Sequence, residues 1–155
     1  MIYYITIDSP IGLLYVVEKN QKITRIDYTD TSINGLELKE SSLLLEASKQ
    51  LLEYFSGNRK VFTLPLDIEG TNFQTKVWQG LLQIPYGTTW SYSDLACYID
   101  NDKAVRAVGQ ANRRNPIPII IPCHRVVGKN KQLVGYSGNR TDLQEILLKI
   151  EGVFT

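Results

Sequence analysis

With 155 residues, 43% of them hydrophobic, the chain has enough apolar material for one large cored domain or two small ones, and it shows no internal repeat or low-complexity tract. The net charge of +1 excludes a uniformly polycationic protein, and no run approaches the ~18 apolar residues of a membrane span. The start, "MIYYITIDSPIG", meets Asp8 and the Ser9-Pro10 turn where a signal peptide would stay apolar, so Cys97 and Cys123 read as free thiols in a reducing cytosol.

"MIYYITI" and "LLYVVEK" are β-branched and aromatic stretches separated by the turn "DSPIG", and "ITRIDYT" continues the alternation, which predicts a small antiparallel sheet. In "SSLLLEASKQLLEYFSG", Leu44, Leu45, Ser48, Leu51, Leu52 and Phe55 recur at helical spacing, with Gly57 as the stop. "NRKVFTLPLDIEG" is a connector, and the domain boundary is placed there, between residues 1–68 and 69–155.

The second half reads as helices joined by tight turns. Thr71-x-x-Gln74 is a capping-box pattern opening a helix with Phe73, Val77 and Leu81 on one face. Ser91 with Asp94 opens a second helix, and "NDKAVRAVGQANRR" gives a third, stopped by Asn115-Pro116. "IPIIIP" is expected to be a short buried strand or extended segment, and "RTDLQEILLKIEG" a final helix.

Charge is unevenly spread. Residues 1–70 carry seven basic and ten acidic side chains, whereas residues 103–131 carry seven basic ones and no acid. At about 100° per residue, Ala104, Val105, Val108, Ala111 and Asn112 share one side of the third helix. Lys103, Arg106, Gln110, Arg113 and Arg114 share the other, flanked by the small Ala107 and Gly109. With the preceding short helix this forms a helix-turn-helix candidate whose cationic face suits a nucleic-acid backbone; a solvated surface is the competing reading.

Cys97 is expected on the apolar side of "LACYI", as a small hydrophobe. Cys123 follows Pro122 beside His124 and Arg125, a setting that favours a thiolate presented at the mouth of the apolar segment. Neighbours on extended chain point to opposite faces, so Cys123 and His124 need a turn or a bridging water to cooperate. One histidine and two cysteines 26 positions apart lack zinc-ligand spacing, so no metal is expected.

"IPCHRVVGKN", preceded by "RAVGQANRRNPIPIII" and followed by "LVGYSGN", resembles the O6-alkylguanine-DNA alkyltransferase (methylated-DNA–protein-cysteine methyltransferase) family, and the resemblance runs from "GTNFQTKVWQGLLQIPYGTTWSYSDLA" to Gly152. The first half matches only loosely. The resemblance implies an α/β (α+β) fold, with a small N-terminal sheet and one helix, RNase H-like, and a mostly helical C-terminal domain holding a winged-helix type of helix-turn-helix. It implies a minor-groove partner, double-stranded DNA containing alkylated guanine, and irreversible transfer of the O6-alkyl group to Cys123, once per molecule, with no cofactor. His124 is then the base acting through water and Glu151 its orienting partner. Tyr92 donates a hydrogen bond to the guanine ring, Asn115 braces the active-site turn, and Arg106 fills the gap left by the rotated nucleotide. Lys103, Gln110, Arg113, Arg114 and Arg125 complete the DNA-binding set. Tyr136 and Ser137 close over the base, while Val126, Pro118 and the Cys123 carbonyl line its pocket.

Two departures stand out: Asn139 replaces the usual second glycine after Tyr136-Ser137-Gly138, and Asn112 occupies a place often apolar or small. The protein is expected to be a cytoplasmic monomer, with cooperative assembly on DNA left open. The rivals are a noncatalytic DNA-binding protein, either a helix-turn-helix regulator or an alkyltransferase-like lesion binder, the latter usually carrying tryptophan where Cys123 stands, and a cysteine hydrolase, which would turn over repeatedly.

Overall fold

The structure, a computed structural model, describes residues 1–133 and 140–154, in two compact units, Met1–Glu69 and Gly70–Thr155. The first unit is a four-stranded sheet with one helix. Strands β1 (Ile2–Ser9), β2 (Gly12–Lys19) and β3 (Lys22–Asp27) are antiparallel neighbours, and the two-residue β4 (Glu37–Leu38) runs parallel to β1, giving the order β3-β2-β1-β4. The alternation in β1 puts Tyr3, Ile5 and Ile7 inside, against Leu14 and Val16 of β2 and Ile23 and Ile26 of β3. Asn20 and Gln21 turn β2 into β3 with both residues at positive φ, 53° and 64°, the backbone twist a tight hairpin needs. β4 has no signal in the sequence, because two residues are too few for a period.

Helix α1 (Ser42–Phe55) starts where the Ser41 hydroxyl accepts from the Leu44 amide, and it ends at Gly57, whose φ is +81°. Its buried face is Leu44, Ala47, Gln50, Leu51 and Tyr54, rotated from the expected one; Leu45 and Leu52 are half exposed. Gln50 is buried in place of a leucine because Thr63 satisfies both ends of its amide: Nε2 donates to Thr63 Oγ1 and Oε1 accepts from the Thr63 amide, each at 2.9 Å.

The second unit begins with α2 (Asn72–Leu81). The capping box forms as its residue types predict: the Gln74 amide donates to Thr71 Oγ1 and the Thr71 amide to Gln74 Oε1. A second box, Ser91 with Asp94, opens α3 (Tyr92–Tyr98). Gly80 lets α2 and α3 approach closely, since a Cβ there would meet Leu95 Cδ1 at 3.0 Å. After a turn through Asp100, with φ 59°, α4 (Val105–Arg113) crosses α2, tied by Trp78 Nε1 donating to the Ala111 carbonyl at 2.8 Å. The parallel two-residue ladder of β5 (Trp90–Ser91) and β6 (Val126–Val127), and α5 (Thr141–Ile150), complete the unit. No helix among the described residues is long and apolar enough to cross a membrane.

Cys97 is exposed, against expectation. Leu95, Ala96 and Ile99 form the buried arc of α3, and 97 falls about 200° around the helix from 95, opposite that arc.

Candidate functional site

The segment 117–121 is buried, but it is a tight turn and not a strand: its single bridge joins Pro118 to Ile121, and Ile119 has φ +76°. A β-branched residue in that region costs about 1–3 kcal/mol and persists only where its surroundings hold it. Asn115 does so: its Nδ2 donates to the Ile121 carbonyl at 2.7 Å and its Oδ1 accepts from the Ile117 amide at 3.0 Å. Pro122, at φ −82° and ψ 63°, then makes an inverse γ-turn closed by the Cys123 amide donating to the Ile121 carbonyl at 2.8 Å. Cys123, His124 and Arg125 follow as one turn of 3-10 helix, so the adjacent cysteine and histidine are not on extended chain.

His124 is fully buried, and its Nε2 lies 2.6 Å from Glu151 Oε2 at the end of α5. Arg125 grips the same carboxylate, Nε to Oε1 at 2.8 Å and Nη2 to Oε2 at 3.1 Å, and its Nη1 donates to the Ile84 carbonyl at 2.7 Å. The Gly87 amide donates to Oε1 at 3.0 Å. Burial alone would raise the Glu151 carboxyl, but the hydrogen bonds of His124 and Arg125, with the charge of Arg125 and of His124 once acid protonates it, overturn that and hold the carboxyl at about 2. Burial pushes His124 down against the pull of Glu151, so the ring is neutral near pH 7, with Arg125 as the carboxylate's counter-charge. Arg125 was expected among the DNA-contacting cations; at 7% exposure and bound to Glu151 it is an internal ion-pair partner.

Cys123 departs from expectation in the same direction. Its side chain is sealed, at 2% exposure, and burial pushes the thiol up to about 12 against an opposing hydrogen bond from the Asn115 side chain. The resting site therefore holds a protonated thiol. A rise from 9 to about 12 makes the thiolate about 4 kcal/mol harder to form than an ordinary one. Tyr92, at the start of α3, lies near enough to Cys123 to feel its charge; burial first, and then that neighbour, raise the phenol and keep it a donor at neutral pH. Asn112 is buried on α4, with Nδ2 3.4 Å from the Cys123 carbonyl.

Lys103, Arg106, Gln110, Arg113 and Arg114 are all exposed, and Val108, Ala111 and Asn112 face inward, so α4 is divided as its periodicity predicts. Lys103 precedes the first helical residue. Val126 and Pro118 are buried, Val126 in the ladder with Trp90 and Pro118 in the turn braced by Asn115. Tyr136 and Ser137, with Asn139, lie outside the described residues. Among the described residues no group of histidine, cysteine, aspartate and glutamate is placed to hold a metal ion. Sequence reasoning missed Gln144. It is fully buried on α5, and its Nε2 donates to the carbonyls of His124 and Val126 at 3.1 and 2.9 Å, clamping the reactive turn from behind. A glutamine inside the apolar stripe of Leu143, Leu147 and Leu148 was the available signal.

Two family profiles match the chain: 6-O-methylguanine DNA methyltransferase, DNA binding domain, over residues 72–153, and 6-O-methylguanine DNA methyltransferase, ribonuclease-like domain, over residues 2–68. The constitutive methylated-DNA–protein-cysteine methyltransferase of Bacillus subtilis is 49% identical, over 99% of this chain and 97% of its own length. A methylated-DNA–protein-cysteine methyltransferase of Methanosarcina acetivorans is 43% identical over 97% and 98%. Among solved structures, Mycobacterium tuberculosis O6-methylguanine methyltransferase superposes with a TM-score of 0.90 at 41% identity, covering 97% of this chain and 93% of that one. The Mycobacterium tuberculosis OGT in complex with DNA gives 0.88 at 42% identity, covering 96% and 92%. With profiles spanning both units and relatives above 40% identity along nearly their full lengths, the chain belongs to the 6-O-methylguanine-DNA methyltransferase family.

Proposed function

We infer that this protein repairs DNA by direct reversal, taking the alkyl group of O6-alkylguanine onto Cys123 in a single turnover. The observation that carries this reading is the cysteine followed by a buried histidine whose Nε2 is 2.6 Å from Glu151 Oε2, in a chain 49% identical to a named methylated-DNA–protein-cysteine methyltransferase. DNA is the partner, as it is for the structural neighbour solved on DNA. The exposed face of Lys103, Arg106, Gln110, Arg113 and Arg114, flanked by the small Ala107 and Gly109, suits backbone contact along a minor groove, and Arg106 is the residue assigned to the gap left by a rotated nucleotide.

Chemistry then follows from the protonation states. Glu151 holds the His124 ring by Nε2, which leaves Nδ1 as the nitrogen that exchanges a proton with the thiol, directly or through water. The O6–CH3 bond breaks as the Sγ–CH3 bond forms; the thiol proton passes to His124 and is handed on through water to the departing guanine, whose ring accepts a hydrogen bond from the Tyr92 hydroxyl, so that thiol and O6-methylguanine become thioether and neutral guanine. Because the thiolate is expensive in the resting site, proton removal is coupled to docking of the lesion and no standing thiolate accumulates. Extruding a base costs a few kcal/mol, which contacts in the pocket and from Arg106 offset. The thioether has no hydrolytic route back, which makes the stoichiometry one to one.

Incubation with duplex DNA containing O6-methylguanine, followed by intact-mass analysis, tests the reading: one methyl is gained on Cys123 and none by Cys123→Ala. The burial of Cys123 is the observation that favours a noncatalytic lesion binder, and unchanged mass together with tight lesion binding decides for it.

A further inference from the structure

The first unit carries a buried acid that the alkyl transfer does not use. Glu18 continues the inward row of Leu14 and Val16 on β2, a position an apolar side chain would fill without polar cost, and it is 5% exposed. A buried carboxylate is costly unless partners neutralise it or donate to it. Among the described residues Glu18 forms no ion pair, and its one hydrogen bond comes from the Ser41 hydroxyl to Oε1. Oε2 is left without a donor, and the side chain lines a cleft of about 700 Å³ together with Tyr3, Lys39, Ser41, Ser42 and Leu43.

The same cleft holds an anion-binding pole. Ser41 caps α1, its hydroxyl accepting from the Leu44 amide at 3.1 Å, so one oxygen stands between Glu18 and the start of the helix. The first-turn amides of Ser42 and Leu43 have no acceptor within the helix, and no acidic side chain sits in that turn. Lys39 is exposed and forms no ion pair among the described residues; its Nζ lies 4.5 Å from the centre of the Tyr3 ring. Glu18 and Lys39 therefore line one cleft without neutralising each other. A purely anionic ligand would meet the Glu18 carboxylate, and a purely cationic one would meet Lys39 and the positive end of α1.

We propose that this cleft binds a free α-amino acid, its ammonium group pairing with Glu18 Oε2 while its carboxylate takes the amides of Ser42 and Leu43 and the charge of Lys39. The two charged groups of such a molecule hang on one carbon, and the two poles of the cleft are separated by one hydroxyl, so their spacings correspond. The rest of the cleft, beside Tyr3 and Leu43, takes the ligand's side chain.

Ligand-observed NMR titrations of the whole protein with L-glutamate, L-glutamine and L-leucine test this, each run beside its N-acetyl derivative and its α-carboxamide. At least one free amino acid is expected to bind saturably, with a Kd in the millimolar range or tighter. Blocking either pole of that ligand is expected to weaken binding by about tenfold or more, the loss of a hydrogen bond to a charged group. Glu18→Gln keeps the shape of the side chain and is expected to weaken the free amino acid by a similar factor. Its melting temperature by far-UV circular dichroism is expected to be no lower than that of the wild type, because the substitution removes an unneutralised buried charge. Free and blocked ligands compared on wild-type protein decide the matter even if the variant folds poorly. No saturable binding of any of the three up to about 10 mM, equal binding of free and blocked ligands, or unchanged binding by folded Glu18→Gln overturns the proposal.

Discussion

Glu151→Gln isolates the charge at the centre of the site while keeping the shape of the side chain. Its carboxyl is held at about 2 against an ordinary 4.5, and at about 1.4 kcal/mol per pH unit that difference is worth about 3 kcal/mol at neutral pH. The figure agrees with the roughly 3–5 kcal/mol lost when one member of a buried ion pair is removed, here leaving Arg125 without its counter-charge. The sign is set by a depressed pKa: the stabilisation is fully present above 4.5 and is lost as pH falls toward 2. Both tryptophans, Trp78 and Trp90, lie in the second unit, so urea unfolding followed by tryptophan fluorescence reports that unit. Glu151→Gln is expected to lower its unfolding free energy by about 3 kcal/mol at pH 7, and by nearly 1 kcal/mol less at pH 4, where the wild type has begun to lose the same contribution. A gap below about 1 kcal/mol at pH 7, or one that does not narrow in acid, would show that the His124–Glu151–Arg125 cluster is not the ionised network described.

Two further outcomes separate the accessible thiol from the sealed one and the DNA contact from the chemistry. An aromatic disulfide reagent at pH 7.5 should label the exposed Cys97 quickly, and Cys123 slower by orders of magnitude, because a rise from 9 to about 12 cuts the thiolate fraction about a thousandfold and the sulfur is 2% exposed; equal rates in Cys97→Ser and Cys123→Ser would contradict this. Arg106→Ala should slow repair of duplex DNA far more than reaction with the free base O6-methylguanine and should weaken the salt dependence of DNA binding, whereas equal loss on both substrates would remove Arg106 from base extrusion.

Much of this protein is written in local pattern. The alternation in "MIYYITI" fixes which side chains of β1 face inward, and the capping boxes at Thr71 and Ser91 set helix starts from residues three apart. The split of α4 into a cationic and a buried face needs only its 3.6-residue period, and the Pro-Cys-His-Arg run marks the reactive turn by residue type. Each of these depends on neighbours within one or two turns of chain, which a sequence displays directly. What depends on burial does not show there. Arg125 sits in a cationic stripe when residues are read in line, but it turns inward because Glu151, 26 positions away, supplies the opposite charge that a buried guanidinium needs. The rotation of α1, the exposure of Cys97, the protonated state of Cys123 and the inward amide of Asn112 follow from which surfaces meet when distant elements pack. Local sequence determined which groups were available for this chemistry, and tertiary packing decided which of them lost water, because desolvation and ion pairing are set by atoms far apart along the chain.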